Sequence, residues 1–140
     1  MQEQNFQKHS RYLPGFHVLT FAVILAAFLI AVILLIHHGF SHETVLYVLI
    51  TVALGQLFYY TRKFGTGNQD RIIRAEENFR SFRLTGKALD SRLTKRQIIA
   101  LRFAPDEEFP ELAQRAANEN LPAKTIKAAV SKWRADHHRI

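Results

Sequence analysis

Two uninterrupted apolar runs leave this chain few folds to choose from. The first, residues 18–36, holds 19 residues with one hydroxyl and no charge. As a helix it reaches ~28 Å, close to the ~30 Å hydrocarbon core of a bilayer. The second, residues 44–60, holds 17 residues. As a helix it spans ~26 Å, also within range for a crossing. Glu43 is the one formal charge between positions 18 and 60. A chain of 140 residues has too little other apolar mass to bury two such helices on every side in water. The runs therefore predict transmembrane helix 1 over 18–36, an external loop over 37–43 and transmembrane helix 2 over 44–60. So short a loop forces an antiparallel hairpin.

Charge supplies an orientation. Lys8 and Arg11 precede the first run, Arg62 and Lys63 follow the second, and the loop between holds no Lys or Arg. The positive-inside rule then puts both termini in the cytoplasm and residues 1–17 in a cytoplasmic N-terminal segment. Tyr12, Phe16, Tyr59 and Tyr60 suit the headgroup belt on that side, and Phe40 and Tyr47 the other. The first run is too long for a signal-peptide core and no small-residue cleavage site follows it, so no removable signal peptide is expected. With no cysteine, disulfides, thiolate metal sites and cysteine nucleophiles are excluded.

Small residues recur every four positions in both runs: Ala22 with Ala26, Ala27 with Ala31, and Thr51 with Gly55. Such spacing lets helix backbones approach closely. Gln56 adds an amide that needs a partner. Ala22, Ala26, Thr51, Gly55 and Gln56 are the expected packing set, within the hairpin or against another chain. Two spans with one amide and no intramembrane acid do not make a conduit.

Residues 61–68, with Gly65 and Gly67, read as a flexible linker. Beyond it, 69–140 reads as a small cytoplasmic helical domain of about four helices. Ile72, Ala75, Phe79 and Phe82 share a face at i, i+3, i+7 and i+10. Thr85-Gly86 is a stop, and Thr94 with Gln97 forms a capping box for a helix through Arg102. Asp106, Glu107 and Glu108 suit the next N-terminus, with Pro110 in its first turn. Pro122 suits the start of a last helix carrying Ile126, Ala129, Val130 and Trp133 on one face. The helix from Gln69 either continues the second span or turns along the membrane surface. The fold class is thus all-α: a two-helix transmembrane hairpin, then a small helical domain.

Here the chain resembles a family of small two-span bacterial membrane proteins with no established activity. The likeness is carried by Gln69-Asp70-Arg71-Ile72-Ile73-Arg74-Ala75-Glu76-Glu77-Asn78, by Leu84-Thr85-Gly86-Lys87 and by Leu89-Asp90-Ser91-Arg92-Leu93. It continues in Arg96-Gln97-Ile98-Ile99-Ala100-Leu101-Arg102-Phe103-Ala104, in Asp106-Glu107-Glu108-Phe109-Pro110 and in Trp133-Arg134-Ala135-Asp136. The resemblance implies a bacterial inner-membrane location. Such proteins are sometimes labelled transporter permeases, which two spans without a transport motif do not support.

The positive charge is the strongest functional hint. Residues 62–102 hold 11 basic and 4 acidic side chains, a net of +7, whereas 103–140 hold 6 of each. Arg62, Lys63, Arg71, Arg74, Arg80 and Arg83 form a basic belt that anionic headgroups would attract by ~1 kcal/mol each near a surface. Glu76 and Arg80, four apart, suit a helical ion pair. Asp70, Glu76, Glu77 and Asp90 lie among arginines, which suggests pairing and not acid–base work.

Other constellations are weaker. His37, His38, His42 and Glu43 crowd the outer loop. His38 and His42 are spaced for chelation on a helix, but the loop holds a glycine and reads as an interfacial linker. His137 and His138 are adjacent and would point apart. Thr85-Gly86-Lys87 lacks the strand and upstream glycines of a phosphate loop. No catalytic residue, metal ligand or cofactor is expected, and the chain does not read as an enzyme. The expectation is an accessory or scaffolding membrane protein that contacts lipid and docks on another membrane complex or on its own copy. The alternative is a membrane-tethered, helix-turn-helix-like nucleic-acid-binding protein, with Lys124, Lys127, Lys132 and Arg134 on phosphates. The seven-residue stretch 116–122 is long for that turn.

Overall fold

The computed structural model describes residues 13–136; Lys8, Arg11, Tyr12, His137 and His138 lie outside the described residues. Among these the chain is all helical, with no strand. The described residues divide into two compact units, one ending at Gly65 and one beginning at Thr66.

In the first unit a π-helical turn, Gly15–Thr20, leads into α1, Phe21–His38. Pro14 stands just ahead of it, where a missing N–H breaks no helix bond. Gly39, at φ 74° and ψ −171°, ends α1 in a region open almost only to glycine. α2 begins at His42 and runs to Thr85, 44 residues. The connection is therefore shorter than the 37–43 loop read from sequence. His37 and His38 form the last turn of α1, and His42 and Glu43 the first turn of α2. Local hydrogen bonds explain this. Ser41 N–H donates to Thr44 Oγ1 (3.1 Å), Thr44 N–H to Ser41 Oγ (3.2 Å) and Thr44 Oγ1 to the Gly39 carbonyl (2.8 Å), so donors at the start of α2 find side-chain acceptors. Phe16 stacks on Phe58 at 4.7 Å, and Phe21 lies 6.3 Å from the same ring. The start of the first apolar helix thus meets the far end of the second run, as an antiparallel hairpin requires.

α2 runs through the segment 61–68 read as a linker, and the division between the two units falls within it, at Gly65 and Thr66. Each glycine costs a helix about 1 kcal/mol against alanine. Propagation between two helical flanks gains a hydrogen bond for each residue fixed, so two glycines do not melt the turn. The helix from Gln69 is the continuation of the second run.

The second unit is built from the C-terminal part of α2 and three shorter helices: α3, Lys95–Leu101; α4, Phe109–Asn118; and α5, Ala123–Ala129. α2 stops where Gly86 takes φ 71°, the left-handed C′ conformation that glycine adopts without penalty. The capping box forms as its sequence predicts: Thr94 Oγ1 accepts from Gln97 N–H while the Gln97 side chain accepts from Thr94 N–H. Pro110 sits in the first turn of α4. The core gathers Leu101, Phe109 and Ile126, all fully buried, with Ala100, Ala104 and Ala116 admitting close helix approach.

Two expectations change here. The last helix ends at Ala129, so Val130 and Trp133 lie beyond it. Ser131 and Lys132 give their N–H groups to the Glu108 carboxylate at 3.1 and 3.3 Å, and Ser131 Oγ hydrogen-bonds the same group. These bonds draw the backbone off the helical ladder. Trp133 instead stacks on buried Phe103 at 4.4 Å. The second change concerns α2. Ile72, Phe79 and Phe82 share a face, but they are 58%, 70% and 59% exposed. Ile73, Glu77, Arg80 and Ser81 are buried instead, about half a turn away at 100° per residue.

Candidate functional site

α2 carries most of the candidate side chains, and its surroundings sort the basic belt into three groups. Lys63 is exposed, with Nζ 5.7 Å from the ring centres of Tyr59 and Tyr60, a spacing for weak cation–π attraction. Arg62, its neighbour, is half-buried.

Arg80 leaves the surface set altogether. Its side chain is 6% exposed and pairs with Glu77 (3.0 Å), itself 7% exposed. It also donates through Nη2 to the Ala104 carbonyl (2.7 Å) and through Nε to Asp106 (2.7 Å). Its guanidinium lies 4.4 Å from the ring centre of Phe109. Arg80 thus clamps α2 onto the turn between α3 and α4. The i,i+4 pairing with Glu76 does not form, because burial aims the guanidinium at Glu77 and Asp106. Arg83 is exposed and braces the other Asp106 oxygen at 3.0 Å.

Arg71 and Arg74 form the third group. Both are exposed and make no ion pair among the described residues. They flank a cleft of about 390 Å³ that Asn78, Asp90 and Ser91 also line. The acids expected to pair do so selectively. Asp70 holds Lys95 at 3.0 Å and Asp90 holds Arg92 at 2.7 Å, while exposed Glu76 makes no ion pair among the described residues.

A second cleft of about 370 Å³ lies on the other flank of α2, lined by Glu77, Arg80, Arg83, Arg102, Arg134 and Asp136 among others. Burial pushes the Glu77 carboxyl above its ordinary value, against the pull of Arg80. Arg80 does the reverse to Asp106, whose carboxyl its hydrogen bond holds below the usual range. Hydrogen bonds from Arg92 bring Asp90 down to about 2. Glu77, Arg80 and Asp106 thus form one ion-pair hub, and Asp90 with Arg92 a separate pair. No cluster of three or more His, Asp or Glu able to hold a metal ion occurs among the described residues.

The packing set of the hairpin divides as well. Thr51 is buried, its hydroxyl donating to the Tyr47 and Val48 carbonyls at 3.0 and 2.9 Å, and Gly55 is half-buried. Ala22, Ala26 and Gln56 are exposed. In α1 the packed row is the other one, with Ala27 half-buried and Ala31 3% exposed. Spacing alone does not distinguish two alanine rows offset by five residues. Ala22, Ala26 and Gln56 therefore face outward from the hairpin.

The arrangement defines a class: two helices long and apolar enough to cross a membrane, with a small all-helical unit built on the extension of the second. The chain belongs to a family of unknown function (DUF6526), whose model matches residues 1–140. No curated protein and no solved structure matches it.

Proposed function

We propose that this chain is a membrane-anchored docking protein of the bacterial inner membrane. The hairpin inserts with both termini in the cytoplasm, and α2 presents its exposed basic residues to a protein partner or to anionic lipid. The observation that carries this reading is the state of Arg71 and Arg74: two exposed guanidiniums that make no ion pair among the described residues. Exposed Ala22, Ala26 and Gln56 support a second contact inside the bilayer, where small residues and an amide favour helix association.

Affinity purification from native membranes in mild detergent, followed by mass spectrometry, tests this reading. The expected result is a reproducible partner, or a copy of the chain itself, that is lost with Arg71→Glu/Arg74→Glu. Retained partner binding together with unchanged binding to anionic vesicles would remove the basic face from the argument.

One observation favours the nucleic-acid reading as a second possibility. The turn between α4 and α5 is four residues, 119–122, within the length a helix-turn-helix uses. Against it, α5 has only seven residues, and Lys127 is half-buried with Nζ 5.6 Å from the Phe103 ring centre. Salt-dependent binding of the full chain in detergent to duplex DNA decides it; no binding at low salt sinks it.

A further inference from the structure

The apolar face of α2 that turns away from its own unit has an occupant written into its flanks. Ile72, Phe79 and Phe82 are more than half exposed, and Ala75 between them is exposed too. Their spacing of three, four and three is the a-d-a-d seam of a two-stranded coil. With Ile72 at a, the position before it, g, is Arg71, and the first e position is Glu76. Both are exposed and neither makes an ion pair among the described residues. In a parallel two-stranded coil a g residue faces the e residue five positions later on the partner helix. Arg71 of one copy would meet Glu76 of the other, twice by symmetry. The next such couple is Asn78 with Arg83, which brings no like charges together.

We infer that the face Ile72–Ala75–Phe79–Phe82 is a homodimer seam, on which a second copy of this chain pairs in parallel with Arg71–Glu76 bridges between copies. The inference rests on the docking reading above and names the partner. Two copies anchored in one bilayer with the same topology present α2 in the same direction, which fixes the parallel sense. The two-fold contact is isologous, so it closes at two. It also accounts for a pair of opposite charges that are left apart on a helix where most other acids are paired.

Cysteine cross-linking in native membranes tests this directly, because the chain has no cysteine of its own. Ala75→Cys places a thiol on the seam, and Arg74→Cys places one on the exposed flank beside it. On mild oxidation Ala75→Cys should give a disulfide-linked dimer and Arg74→Cys should not. Adding Arg71→Glu or Glu76→Arg to Ala75→Cys sets like charges opposite each other, and most of the dimer should be lost. The double exchange Arg71→Glu/Glu76→Arg should restore it, which a merely misfolded protein would not do. Equal cross-linking at 74 and 75 overturns the seam, as does none at 75. Insensitivity to the charge changes overturns the parallel register. If 75 fails to cross-link while another protein is reproducibly retained in the purification, the dimer is wrong and the docking reading stands. If neither a copy nor another protein is found, both fall.

Discussion

Arg80 and Glu77 meet at 3.0 Å with both side chains almost wholly shielded from solvent, and Arg80 also reaches the Ala104 carbonyl and Asp106. Truncating one partner of such a pair leaves the other charge buried and unmatched, at a cost of about 3–5 kcal/mol. Arg80→Met should therefore loosen the grip of α2 on α3 and α4. Hydrogen exchange of the full chain in detergent should show faster exchange across both helices. Glu77→Gln should cost less, because burial already works against the charged carboxylate. Equal protection in Arg80→Met and the parent would contradict the clamp.

Acid should weaken the same unit, with one group pulling the other way. Asp106 is held below its ordinary value by Arg80, and Glu108 by Ser131. A depressed folded value means the unfolded chain takes up protons first. Their contribution is present above the ordinary carboxylate range and is lost as pH falls through the folded values. Glu77 is raised, so its ionisation opposes folding: its contribution is present below the ordinary value and is lost as pH rises through the folded one. Asp106→Asn should therefore flatten the acid limb of a stability–pH curve, and Glu77→Gln should steepen its upper part. Denaturant midpoints of the full chain across the acidic range check both signs.

How much of this was legible in sequence depended on whether a signal was local. The two apolar runs, the Thr94–Gln97 box, the stop at Gly86 and Pro110 in a first turn all rest on neighbours within a few residues, and each appears where its chemistry places it. The direction in which α2 faces is not local. A hydrophobic period locates a stripe but not what covers it, and residue type alone places Arg80 at the surface. Its burial depends on Ala104 and Asp106, 24 and 26 positions away. The same limit explains the choice between alanine rows in α1, which rests on the partner helix. Composition records the helix penalty of Gly65 and Gly67 but not the cooperativity of the flanks through which α2 runs.

Gln97 illustrates a local motif with a distant consequence. Its Oε1 closes the cap on Thr94, while its Nε2 donates to the Leu121 carbonyl at 2.9 Å. Thr94→Ala should cost about 1 kcal/mol, the usual loss of a cap. Gln97→Ala keeps the bond from the residue-97 N–H to Thr94 Oγ1 but removes the return half of the box and strands the Leu121 carbonyl beyond α4, which costs about 1–3 kcal/mol if water cannot reach it. The two variants should therefore separate in denaturant midpoint, with Gln97→Ala the weaker. A Gln97→Ala midpoint no lower than that of Thr94→Ala would overturn a substantial contribution from the contact with Leu121.

The continuity of α2 can be tested with three glycines. Gly65 and Gly67 lie within the helix, and an added Cβ at either meets no atom within 4 Å. If the helix is continuous, Gly65→Ala and Gly67→Ala should each stabilise it by about 0.5–1 kcal/mol, since alanine has less backbone freedom to lose. Gly39 has the same open surroundings but a φ of +74°. There alanine is strained by on the order of 1–3 kcal/mol, whatever the space. Spin labels at 61 and 69 give a direct readout in the full chain, because eight helical residues advance ~12 Å. Gly65→Ala/Gly67→Ala should narrow the distance distribution around that value, and Gly39→Ala should lower thermal stability without moving it. A broad distribution that the alanines leave unchanged would mean the segment is a flexible joint after all.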